Sequence, residues 1–146
     1  MRTLAAALLL VVAPAFGQVQ VEHAWARATA PGAQVAGGYM AIRNNGATAD
    51  RLVGASSPAA ARVELHVHIK EGEIVKMRQV AAYDVAPKGT FELKPGGAHL
   101  MFLNIVRPFK EGERIPVKLK FEKAGEMSVE FHVGRLGDTA PPAHKH

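Results

Sequence analysis

The chain has 146 residues, 48% of them hydrophobic, a formal charge of +5 and no cysteine. That length fits one domain with its own core, and the missing thiols exclude disulfides, cysteine nucleophiles, thiolate zinc sites and the blue-copper centre, which needs a Cys sulfur beside two His. The positive surplus is small and interleaved, since the basic stretch from Arg107 to Lys123 also holds Glu111, Glu113 and Glu122; it describes a solvated mixed-charge surface, and no nucleic-acid partner is expected.

Residues 1–17 read as a secretion signal. Met1-Arg2-Thr3 is a short basic start, Leu4 to Ala13 is an apolar run, and Ala15-Phe16-Gly17 fits the small-x-small cleavage pattern, leaving Gln18 as the new N-terminus. The apolar run is too short for a comfortable membrane span, which takes about 20 residues. The expectation is a periplasmic protein, soluble after cleavage and without stable membrane insertion. Residues 18–136 are then the domain, and residues 137–146 a flexible His-containing tail, too rich in proline and too poor in apolar residues to pack.

Within the domain, short strand signals alternate with turn signals. Val19 to Arg27 reads as a first strand, broken by Ala30-Pro31-Gly32, and Gly38 to Asn44 as a second, ended by Asn45-Gly46. Arg51 to Ala55 is a third, closed by Ser56-Ser57-Pro58. Arg62 to Lys70 alternates, with Val63, Leu65, Val67 and Ile69 on one face and Glu64, His66 and His68 on the other. Glu71-Gly72-Glu73 is a hairpin loop into Ile74 to Val80. Thr90 to Leu93 precedes the Pro95-Gly96-Gly97 turn, and His99 to Val106 follows it. Ile115 to Glu122 comes after the Glu111-Gly112-Glu113 turn, and Met127, Val129, Phe131 and Val133 form the inner face of a last strand. The pattern predicts an all-β fold, an antiparallel sandwich or barrel.

Against this frame, His66, Met77, His99 and Met101 stand out, spaced His-x10-Met-x21-His-x-Met. Two imidazoles and two thioethers suit a soft cation, and Cu(I) is favoured because thioether sulfur selects it over oxygen-seeking metals. His99 and Met101, two apart on a strand, project to one face while Leu100 and Phe102 take the other. His66 lies off the apolar stripe of its strand, and the hairpin is expected to fold Met77 back beside it. Taken singly, a Met in a β-domain is usually core filler and a His usually a surface or hydrogen-bonded residue; the joint arrangement reverses that reading. Met40 and Met127 read as packing, and His132 as solvated. His68 shares the face of His66 and is a candidate for a second, harder site. His144 and His146 form a His-x-His tail that is a candidate for weak Cu(II) capture.

The spacing His66-x10-Met77-x21-His99-x-Met101 resembles the copper motif of the PCu(A)C family of periplasmic copper chaperones. The likeness extends to Trp25-Ala26-Arg27-Ala28-Thr29 with Pro31-Gly32, to Gly38-Tyr39-Met40, to Asp50-Arg51-Leu52, to Val63-Glu64-Leu65-His66, to Lys76-Met77-Arg78 and to Pro95-Gly96-Gly97-Ala98-His99-Leu100-Met101. The resemblance implies a cupredoxin-like Greek-key β-sandwich with Cu(I) at an open, partly exposed position. It implies delivery of copper to cytochrome c oxidase assembly, either to its copper-centre subunit or through an assembly factor. The rival expectation is a copper sequestration or scavenging protein without a delivery partner. No Ser-His-Asp order, paired acidic cluster or phosphate-cradling glycine loop stands out, so no enzymatic activity is expected. A monomer is the default for the metal-free chain.

Overall fold

The structure is a computed structural model and describes residues 18–142. The signal expected over residues 1–17, and the tail residues His144 and His146, lie outside the described residues. Ten strands run in chain order: β1 (Val19–Ala26), β2 (Val35–Asn44), β3 (Asp50–Ser56), β4 (Ala60–Glu71), β5 (Ile74–Gln79), β6 (Tyr83–Val85), β7 (Thr90–Glu92), β8 (His99–Ile105), β9 (Arg114–Phe121) and β10 (Gly125–Val133). The described residues contain no helix, and so none long and apolar enough to cross a membrane. The all-β expectation holds, and every expected strand is present. The short β6 is an addition.

The strands order as β5-β4-β8-β2-β1-β10-β9-β3-β6, with β7 beside β2. A further contact between β3 and β4, at Ala55 and Val63, turns the sheet back on itself, so its two halves enclose one core. Neighbours in space are mostly distant in sequence, as Greek-key connections require. One pair departs from the antiparallel expectation: β1 and β10 run parallel, with Trp25 opposite His132. These strands stand near opposite ends of the domain sequence, so the intervening chain supplies the long crossover that a parallel pair needs.

Alternation explains which side of each strand faces in. On β9, Ile115, Val117, Leu119 and Phe121 are buried while Arg114, Pro116, Lys118 and Lys120 are exposed. On β8, Leu100 and Phe102 are fully buried, and Phe102 meets the edges of Phe109 and Phe131 with ring centroids 5.3 and 6.1 Å away. Gly38, opposite Leu100, leaves room for them: a Cβ there would come within 2.8 Å of the Phe102 ring. Met40 is buried in the same core, and Met127 packs against it, as expected. On β4 the apolar stripe outruns the core. Val63 and Leu65 are buried, Val67 and Ile69 only partly, and β5 is exposed along its whole length at the sheet edge.

Two polar devices hold the ends of the sandwich. The buried Asp50 carboxylate accepts hydrogen bonds from the backbone N–H groups of Arg51, Lys123 and Ala124, at 2.7, 2.9 and 2.9 Å. Beyond β10, Arg27 Nε donates to the Asp138 carbonyl at 2.7 Å and the Asp138 carboxylate accepts from Arg135 N at 2.7 Å. The start of the expected tail is therefore tied to the domain.

Candidate metal centre

The β4–β8 register places His66 directly opposite His99, and Glu64 directly opposite Met101. Directly opposed residues of an antiparallel pair share a face, so these four stand together on the outer face. Leu100 and Phe102 point inward between them. The β4–β5 hairpin adds the rest. Glu71 pairs with Ile74 across a two-residue loop in which Gly72 adopts φ 62°, a left-handed conformation that glycine takes without strain. That loop sets His68 opposite Met77 and His66 opposite Gln79.

Met77 therefore lies one pleat pair away from the place expected for it beside His66. Its long side chain closes the gap toward a different imidazole: Met77 Sδ is 3.2 Å from His99 Nε2. His99 is 4% exposed and Met77 52%, so the contact joins a buried imidazole to a half-exposed side chain. Met101 is partly buried in the neighbouring row with Glu64. His68 belongs to the same cluster and not to a separate place, its ring centroid 5.1 Å from that of His99; the His66 ring is 5.6 Å from His99.

The proton positions follow from the hydrogen bonds. His99 Nδ1 is 3.1 Å from the Gly97 carbonyl, which can only accept, so Nδ1 carries the proton and the neutral ring presents a bare lone pair at Nε2. Burial lowers the His99 pKa; the Gly97 carbonyl opposes that shift, and His68 and His66 add to it. The neutral form is thus the favoured one. A thioether sulfur is itself a weak acceptor, so two lone pairs face each other at 3.2 Å with no proton between them. His66 Nε2 is 2.9 Å from Glu64 Oε2, while the Nδ1 atoms of His66 and His68 are buried with no hydrogen-bond partner. Buried polar atoms are rarely left so.

Among the described residues, no group of three or more His, Cys, Asp or Glu side chains is arranged to hold a metal ion. The donors gathered around His99 thus include the thioether of Met77 beside the imidazoles. Two participants were not singled out from the sequence. Glu64 sits two residues before His66 on the same face, a spacing visible in the alternation. Tyr83 carries no such signal, yet its hydroxyl lies 2.6 Å from the His66 carbonyl and 2.7 Å from the His99 carbonyl, bracing both strands beneath the cluster.

The "Putative lipoprotein LpqE-like" family model matches residues 19–133, the whole sandwich. The chain belongs to the LpqE-like family. A relative within reach of this LpqE-like domain is the "Putative lipoprotein Lxx21020" of Leifsonia xyli subsp. xyli (strain CTCB07), 34% identical over 112 residues. That match covers 76% of this chain and 66% of the relative, so the relative has further sequence outside the shared part. Among solved structures, a copper-bound PCuAC domain from PmoF2 superposes with a TM-score of 0.71 at 29% identity, covering 83% of this chain and 96% of that one. The Cu(I) form of DR1885 from Deinococcus radiodurans gives a TM-score of 0.66 at 26% identity, covering 81% and 78%. The LpqE-like chain is thus of PCu(A)C type, with the cupredoxin-like β-fold that its sequence resemblance implies. Its 146 residues contain no cysteine, so none of them offers a thiol for the lipid that the family description suggests.

Proposed function

We propose that this domain is a copper carrier that holds Cu(I) through His66, Met77, His99 and Met101 and surrenders it to a partner. The observation that carries the reading is the approach of the bare His99 Nε2 to Met77 Sδ at 3.2 Å. Two neutral donors brought that close have no hydrogen bond to gain, whereas a soft cation accepts both lone pairs. The similar PCuAC domain of PmoF2 is copper-bound and that of DR1885 holds Cu(I), which supports the choice of metal. His68, with its unpartnered Nδ1, is a candidate reserve donor, and Cu(II), which favours nitrogen, is the ion it would suit.

The copper is cargo here, not a resident cofactor, and the domain is proposed to act without enzymatic turnover. Exposure of Met77 favours transfer over sequestration, because an incoming ligand can attack the ion from the solvent side and displace the thioether first. Delivery into cytochrome c oxidase assembly, and work in the periplasm after removal of residues 1–17, rest on the PCu(A)C resemblance and on the N-terminal apolar run.

X-ray absorption of the Cu(I)-loaded protein tests the assignment. The wild type is expected to show mixed sulfur and nitrogen coordination, and the M77L/M101L variant to lose the sulfur shell and most of its Cu(I) affinity. Leu conserves volume, so the fold should lose less than about 1.5 kcal/mol per site. Unchanged Cu(I) binding by the double variant would remove the assignment. Mixing the loaded protein with a metal-free oxidase copper-centre fragment separates carrier from scavenger, since only the former hands its copper over.

A further inference from the structure

We infer that Glu64 is a positioning residue that keeps the His66 proton on Nε2, so that His66 presents Nδ1 to copper while His99 presents Nε2. The inference rests on the copper reading above and adds the atom through which each imidazole acts. Glu64 Oε2 lies 2.9 Å from His66 Nε2, and the two side chains are 17% and 15% exposed, so solvent competes little for either. Arg62 Nε stands 3.4 Å from the other carboxylate oxygen, Oε1, which leaves Oε2 to His66. A carboxylate only accepts, so the proton between them belongs to His66 Nε2. The remaining nitrogen, Nδ1, is buried and has no partner in the protein.

His99 is arranged the other way round, with Nδ1 held by the Gly97 carbonyl and Nε2 bare toward Met77. Two histidines that face each other across paired strands thus keep their lone pairs on opposite ring nitrogens, each because an acceptor occupies the other one. Ligating imidazoles are commonly fixed by such an acceptor, and its loss typically weakens metal binding about 10–100-fold. Glu64 also faces Met101 across the strands. Its engagement with His66 and Arg62 keeps the carboxylate occupied, and a carboxylate oxygen is a poor match for Cu(I).

Long-range proton–nitrogen NMR on the full chain, metal-free and Cu(I)-loaded, tests this for the wild type, E64Q and E64L. In the metal-free wild type His66 should be protonated at Nε2 and bare at Nδ1, the reverse of His99. Cu(I) should then shift Nδ1 of His66 and Nε2 of His99. E64Q keeps an acceptor oxygen and should bind Cu(I) close to wild type, whereas E64L should lose about 10–100-fold and its hydrogen-bonded Nε2 proton signal. Cu(I) bound through His66 Nε2, wild-type affinity in E64L, or an equal loss in E64Q and E64L would each overturn the role of Glu64 and leave the copper site standing. A wild type that binds no Cu(I) would overturn both. Should E64L not fold, the wild-type nitrogen shifts and the E64Q affinity still decide.

Discussion

Tyr83 supplies no donor to the candidate site, yet it holds the backbone on which two donors stand. Its hydroxyl has one proton to share between the His66 and His99 carbonyls, at 2.6 and 2.7 Å. Burial pushes its pKa well above the usual tyrosine range, so the proton is present at any ordinary pH. The ring stacks on Phe91 with centroids 4.8 Å apart, so the side chain is located by packing before the hydroxyl is considered. Y83F keeps that stacking and removes the donor, leaving the buried His99 carbonyl and the partly buried His66 carbonyl without it. The expected cost is about 1–3 kcal/mol of stability in urea unfolding, together with weaker Cu(I) binding, because the strands carrying His66 and His99 lose their common tether. Wild-type stability and affinity in Y83F would show that the tether is idle.

The β4–β5 hairpin is the element that assembles the site from separate strands. Its two-residue loop sets the pairing, and side chains alternate with a period of two, so a slip of one residue turns β5 over. Inserting one alanine between Gly72 and Glu73 should therefore move Met77 to the opposite face. Cu(I) affinity should fall at least as far as in the single M77L variant, while the fold survives, because β5 is exposed throughout and contributes little to the core. Retained affinity would mean that Met77 reaches the ion regardless of register. The same element shows what a sequence can convey. The shared face of His99 and Met101 follows from a spacing of two, and the off-core position of His66 from the alternation of β4. The partner of Met77 depends on the exact loop length and on how far a flexible thioether extends, which alternation does not encode. β6 escapes for a related reason: three residues are too few to show a period, and Tyr83 finds its partners 16 and 17 residues away.

At the scale of the molecule, burying an imidazole in a neutral state makes the fold sensitive to acid. His99 has a lowered pKa in the folded chain, chiefly through burial, while in the unfolded chain it titrates near the ordinary value of about 6.5. Below that value the unfolded chain takes up a proton that the folded chain refuses, so this residue's contribution to stability is complete above it. The contribution declines as the pH falls toward the lowered folded-state pKa, and the slope ends once both states are protonated. Metal and proton compete for the same Nε2 lone pair, so acid also drives copper off, but His99 resists that competition to a lower pH than a solvated imidazole would. H99N removes the titration and leaves an amide able to donate to the Gly97 carbonyl. Urea unfolding of the metal-free proteins between about pH 7.5 and about pH 5, bracketing the free imidazole value, should show the wild type losing stability relative to H99N as the pH falls. Cu(I) should stabilise the wild type more at the upper end than at the lower, since binding to the folded state adds RT ln(1 + [L]/Kd) and Kd rises with acid. Parallel loss in the two metal-free proteins would place the acid-sensitive group elsewhere, and a copper-induced gain equal in the wild type and H99N would take His99 out of the coordination sphere.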